Sequence, residues 1–275
     1  MLPAKSAVHQ TLRDHEPPNR LASVATRTAI RRQRRIWSRR VSSWDQHGSA
    51  GLGTVTAAVI AAAAVQPGCE VVDLGCGQGQ VSLPLARLGA EVLAIDVSPA
   101  MVDQLAGTAR RERVQTLAAT AIPIEELSLP DRSVDLVVTS YALHHLRDAD
   151  KARLVCEAFR WLRPGGRLIV ADLMLGRGGS SRDRQIIRQK LIVLARKGPG
   201  GWWRIAKNVA RYILRVHERP VSMAAWSRML GQAGFTQVQA KPVVAEAGLV
   251  MGARPAPGDQ QSRASVECIR HEPAQ

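Results

Sequence analysis

Residues 69–79 run Cys-Glu-Val-Val-Asp-Leu-Gly-Cys-Gly-Gln-Gly, a set of types and spacings suited to holding a nucleotide-like ligand against bare backbone. The apolar pair Val71–Val72 ends in Asp73, and glycines follow at alternate positions, Gly75, Gly77 and Gly79. Val81, Leu83, Leu85, Ala86 and Leu88 then read as an amphipathic helix, so the stretch predicts a strand, a tight turn and a helix. Glycine at such a turn lets the backbone approach a ligand that a Cβ would block. A dinucleotide fingerprint, G-x-G-x-x-G, would put its third small residue where Gln80 stands, so the spacing D-L-G-x-G-x-G points elsewhere. A second apolar strand, Glu91–Asp96, ends in a carboxylate 17 residues beyond Gly79. In a doubly wound sheet an acid at that position reaches the ribose hydroxyls of a bound nucleoside.

Four stretches in order carry a family resemblance. The D-L-G-x-G-x-G turn resembles the first signature of class I S-adenosylmethionine (SAM)-dependent methyltransferases, and Asp96-Val-Ser-Pro-Ala-Met101 resembles their second. Leu129-Pro-Asp-Arg-Ser-Val-Asp135 resembles the entry to the family's fourth strand, and Leu162-Arg-Pro-Gly-Gly166 the turn into its fifth. The matches span about residues 69–173, and the relatives they bring nearest are small-molecule methyltransferases of the type that methylates ubiquinone and menaquinone precursors.

The resemblance implies SAM as cofactor. Asp73 would belong to the cofactor site, Gly75, Cys76, Gly77 and Gly79 would lie along the methionine part, Asp96 would accept from the ribose, and Val97 and Met101 would pack near the adenine. Ser140 ends the fourth strand beside the same site. One family residue is replaced: where an aspartate often faces the adenine stands Pro123, leaving the Ile124 backbone N–H, or Thr120 through a shifted loop, to meet the ring.

Methyl transfer from a sulfonium is an in-line displacement in which positioning supplies much of the acceleration, and a base is needed only when the acceptor must lose a proton. His144 and His145, after Tyr141, are candidates for that base, with a packing role the alternative. Tyr141, Trp44 and Trp202 are candidate acceptor-site residues. Trp44 would close over SAM or simply pack, and Trp202–Trp203 would line a pocket or anchor a helix. Asp135 reads as support for its strand. The string Thr139-Ser-Tyr-Ala142 is not an N-P-P-Y-type motif, which argues against a DNA adenine methyltransferase. No metal site is indicated, since the four cysteines form no C-x-x-C pair, and a reduced, cytoplasmic setting is the simplest reading.

The elements that must position these groups alternate. Strands are predicted near 70–74, 91–96, 114–118, 134–140 and 166–173 with helices between, followed by a helix at 222–231 and strands at 235–241 and 248–253. This is an α/β, Rossmann-like, doubly wound and mostly parallel seven-stranded sheet with helices on both faces, plus N-terminal helices near 20–40 and 54–65. In the resembled family the last strand is inserted antiparallel.

Residues 1–45 read as a basic extension, 46–254 as the methyltransferase domain and 255–275 as a loose tail. Within the domain, 176–220 reads as a basic helical lid with helices near 182–197 and 202–216. The formal charge of +15 is concentrated: residues 1–40 carry a net +8 and 174–220 a net +10. Such segments are solvated helix faces, or rest on an anionic membrane surface, or bind nucleic acid; without an RNA-binding module the last ranks below the second. The longest small-apolar run, Ala57–Val65, is too short to span a bilayer. The sequence therefore predicts a SAM-dependent methyltransferase acting on a small, lipophilic or aromatic acceptor, cytoplasmic or peripheral at a membrane. An RNA or protein methyltransferase using the basic arms, and a SAM-binding scaffold without turnover, are the competing readings.

Overall fold

The computed structural model describes residues 24–40, 51–176, 181–195, 219–256 and 258. Helices α1 (Val24–Arg40) and α2 (Leu52–Ala63) precede the sheet. Then come β1 (Glu70–Leu74), α3 (Ser82–Arg87), β2 (Glu91–Asp96), α4 (Pro99–Arg111), β3 (Leu117–Ala121) and β4 (Val134–Ser140). They are followed by α5 (Asp148–Trp161), β5 (Leu162–Leu173), α6 (Ser181–Ala195), α7 (Met223–Gln232), β6 (Thr236–Val244) and β7 (Ala247–Ala253). Single 3₁₀ turns at Ile124–Glu126 and Leu143–His145 sit past the ends of β3 and β4.

The seven strands are ordered β3-β2-β1-β4-β5-β7-β6. β1 to β5 run parallel, and β7 is antiparallel to both β5 and β6. Because the central strands are covered on both faces, they are apolar without alternation. Val72, Leu74 and Val137 meet Leu154, Ala158 and Trp161 of α5 and Trp226 and Leu230 of α7 on one face. Val71, Leu136 and Val138 meet Val55 and Val59 of α2 and Leu85 of α3 on the other. Asp135 supports its strand as expected: it accepts from the Glu70 N–H at 2.9 Å and from Arg163 at 2.8 Å.

Two predicted boundaries shift for local reasons. β3 lies at 117–121 rather than 114–118 because the end of α4 consumes the intervening residues: Arg113 is left-handed (φ 59°) and the Val114 N–H returns to the Ala109 carbonyl at 2.9 Å. The Pro-Gly-Gly stretch expected as a turn is a bulge inside β5, where pairing with β4 jumps from Val134↔Leu162 to Leu136↔Arg167.

The start of the predicted lid is anchored rather than free. Arg182 donates to the carbonyls of Met174, Ala245 and Ala247, and buried Asp183 accepts from the Gly176 N–H at 3.0 Å. The helix predicted near 202–216 lies outside the described residues.

Candidate active site

The strand order reverses between β1 and β4, and a ligand in an open α/β sheet binds at the carboxyl ends beside such a switch point. A cleft of about 850 Å³, counting the space at its open mouth, lies there.

The floor is the turn after β1. Gly75 and Cys76 both donate to the Ile95 carbonyl, at 2.8 and 2.9 Å, which fixes the turn against the end of β2. A Cβ on Gly75 would lie 2.2 Å from that of Ala142, so the turn can approach the β4 loop only as glycine. A Cβ on Gly77 would meet nothing nearer than the Gln80 amide at 3.6 Å, so this glycine borders open cleft. Gly79 does not line the cleft: its Cβ would lie 2.3 Å from a Leu105 methyl, so it lets α4 pack close rather than touching a ligand.

Asp96 ends β2 with one carboxylate oxygen accepting from the Gly77 N–H at 3.0 Å and the other from the Ser98 N–H at 2.8 Å. Burial raises its pKa, against the pull of those donors. Ser98 caps α4 as its sequence position suggests, with Pro99 in the first turn. Asp73 is buried and accepts from the Ser82 hydroxyl at 2.5 Å. Burial pushes its carboxyl up to about 7, with Ser82 opposing and Asp96 adding to the rise. Burial also drives the Cys76 thiol well above its ordinary range, so it is no thiolate nucleophile.

Val97, Met101, Ile124, Ser140 and Tyr141 line the cleft. The Ser140 hydroxyl oxygen is buried without a hydrogen-bond partner among the described residues. Tyr141 holds a left-handed backbone (φ 52°) and donates its N–H to Ala171. Burial raises its phenol pKa, keeping it a neutral donor.

The two histidines separate. His144 is buried behind the wall, with Nδ1 2.6 Å from Asp172 Oδ1 and its N–H donated to Asp172 Oδ2 at 2.8 Å. His145 lines the cleft, its ring 4.0 Å from that of His144. The backbone carbonyl of His144 in turn accepts from Arg219 at 2.7 Å, and the Arg219 carbonyl accepts from the fully buried Lys151 at 2.5 Å.

The cover comes from α1. Trp37 lines the cleft and meets His145 edge to face at 5.4 Å. Gln33 donates to the His145 carbonyl, Arg34 to that of Val97, and the Ser38 and Ser98 hydroxyls lie 3.1 Å apart. Trp44 and Trp202 lie outside the described residues, and no described side chain of α6 lines the cleft. Sequence reasoning missed Gln33, Trp37, Gln80 and Glu125. The signal for the first two was present, since Ile30, Gln33 and Trp37 share one helical face.

This set fits SAM: a turn with open space above Gly77, a strand-end carboxylate for a diol, and an orphaned buried hydroxyl. Among the described residues no group of three or more His, Cys, Asp or Glu is arranged to hold a metal ion.

Comparisons with known proteins agree. Residues 72–170 match the family model described as a methyltransferase domain. The carboxy-S-adenosyl-L-methionine synthase of Yersinia enterocolitica is 32% identical over 115 residues, covering 39% of this chain and 42% of that protein. The chain thus spans less than half the length of the curated relatives it matches. In fold it is similar to the 1,6-didemethyltoxoflavin-N1-methyltransferase of Burkholderia thailandensis, solved with 1,6-didemethyltoxoflavin and S-adenosylhomocysteine (TM-score 0.58, 20% identity, 87% of this chain and 94% of that one). It is also similar to a SAM-dependent methyltransferase of Aquifex aeolicus (TM-score 0.54, 17% identity, 78% and 98%).

Proposed function

Because residues 72–170 form a methyltransferase domain of the class I, SAM-dependent type, we propose that this protein transfers the methyl group of SAM to a small acceptor seated between Trp37, Tyr141 and His145. The observation that carries the reading is Asp96, held by two backbone donors at the lip of the glycine turn, beside the β1/β4 switch point.

When bound, SAM supplies a methyl activated by its sulfonium, which an acceptor lone pair takes while the C–S electrons stay on sulfur. The chain's part is to hold and exclude. Gly75 and Gly77 leave room along the floor, Asp96 and Ser140 offer polar partners, and Val97, Met101 and Ile124 provide an apolar slot. The neutral Tyr141 phenol can donate to the acceptor, and His145, which lines the cleft, receives a proton when the acceptor gives one up. His144, locked by Asp172, orients the turn that carries His145.

Calorimetric titration tests the reading. Micromolar binding of SAM with none of NAD is expected, followed by transfer of a radiolabelled methyl from SAM to a component of cell extract. No SAM binding sinks it. A second reading, in which the cofactor itself is altered, is favoured by the name of the Yersinia relative and would appear as a new SAM-derived mass without a methylated acceptor.

A further inference from the structure

The described lining of the cleft is acidic where the chain is basic. The chain is formally +15, yet among the described residues that line the cleft there is no lysine or arginine. Asp73 is engaged by Ser82, and Asp96 by the N–H groups of Gly77 and Ser98. Glu125 is different. It lines the cleft from the turn after β3, and with Ile124 and Leu146 it also borders an adjoining hollow walled by Asp150, Arg153 and Leu154 of α5. Through that shared hollow it reaches toward Leu146 and the β4 loop, which carries Tyr141 and His145.

Among the described residues no guanidinium hydrogen-bonds to this carboxylate, and Arg153 and Arg147 act on it only through space. Arg153 donates to the Glu125 backbone carbonyl at 3.3 Å and lies 4.0 Å from Asp150. Arg147 gives bonds of 2.7 and 3.1 Å to Asp150. Burial raises the Glu125 pKa, with Asp150 adding to the rise and its own backbone N–H and Arg153 opposing.

We propose that Glu125 selects the acceptor: a nitrogen base on an aromatic or apolar body, whose N–H it receives while Trp37, Tyr141 and Leu146 enclose the body. This rests on the methyltransferase reading. The neutral nitrogen lone pair forms the new N–CH₃ bond as the C–S bond breaks, and the nitrogen then releases one proton to His145 or to water. An anionic acceptor of the same shape would meet the Glu125 carboxylate in a half-enclosed site, where a charge is poorly solvated and like charges are poorly screened.

The test uses the full chain saturated with S-adenosylhomocysteine and three matched probes: tryptamine, 3-methylindole and indole-3-acetate. Calorimetry on the wild type is expected to rank tryptamine at least tenfold above indole-3-acetate. In Glu125→Gln that ratio should fall below threefold, while S-adenosylhomocysteine affinity stays within threefold, which also verifies folding. Equal binding of the amine and the acid by the wild type, or no tryptamine binding at millimolar concentration, overturns the proposal. So does a Glu125→Gln variant that loses S-adenosylhomocysteine affinity tenfold, since Glu125 would then face the adenine in place of the residue that Pro123 replaces. Failure of the wild type to bind S-adenosylhomocysteine at all sinks the methyltransferase reading instead.

Discussion

Asp96 answers two backbone donors and still presents lone pairs to the cleft, so its removal should be felt by ligand and turn together. Asp96→Ala is expected to weaken SAM by about 1.5–3 kcal/mol, the scale of a hydrogen bond to a charged group, read by calorimetry. The glycines divide by what surrounds them. Gly77→Val fills open cleft and should abolish SAM binding. Gly79→Ala instead drives a methyl into Leu105 at φ 93°, and should lower the melting temperature while the folded fraction still binds. Equal loss of binding in both variants would mean that the turn acts as one unit.

Asp73 makes a pH prediction whose sign is the reverse of a salt-bridged acid. Its folded pKa stands above its unfolded one, so between the ordinary 3.8 and about 7 the native state holds the extra proton, and stability falls as pH rises through that window. The full displacement corresponds to about 4 kcal/mol. Without ligand, the melting temperature should decline from pH 5 to pH 8, and Asp73→Asn, which keeps an acceptor for Ser82, should flatten the decline.

At the scale of elements, α1 covers the cleft through contacts that include Trp37 edge-on to His145 and Gln33 to the His145 carbonyl. Trp37→Ala is expected to cost about 1 kcal/mol in S-adenosylhomocysteine affinity, the size of an aromatic pair, with no change in the melting temperature of the unliganded protein. A large loss of stability instead would make α1 part of the core. The five parallel strands and the turn after β1 were legible because burial on both faces and bare backbone each leave a mark in residue type. What covers the cleft was not. Trp44 lies outside the described residues, and Trp37 lines the cleft because the face of α1 that carries it meets His145. His144 and His145 were inseparable in sequence, since only the turn at Leu143–His145 and the partner Asp172, 28 residues away, send one ring behind the wall. Glu125 was invisible because a single 3₁₀ turn has no periodicity to tell which side faces in.

On the scale of the molecule, no described lysine or arginine lines the cleft, although Arg34 reaches the Val97 carbonyl at its edge. Arg31, Arg34 and Arg35 are exposed on α1, whose other side lines the cleft, so a polyanion bound there would lie close to the cofactor entrance. If the basic segments rest on anionic lipid, the protein should co-sediment with phosphatidylserine-containing vesicles and not with phosphatidylcholine alone, and 0.5 M salt should release it. Binding to RNA but not to such vesicles would favour a polymer substrate. Among the described residues no helix is long and apolar enough to cross a membrane.

The strand order has a consequence for how the chain is made. β5 is flanked by β4 on one edge and by β7 on the other, and β7 arrives some 75 residues after β5. A nascent chain emerging from the ribosome therefore holds a 12-residue strand with one unsatisfied edge until the terminal hairpin is delivered. Premature termination near residue 235 would leave the cofactor turn intact and β5 open to pairing with a second chain, so the truncated product should collect in inclusion bodies although every cleft residue described above has already been synthesised.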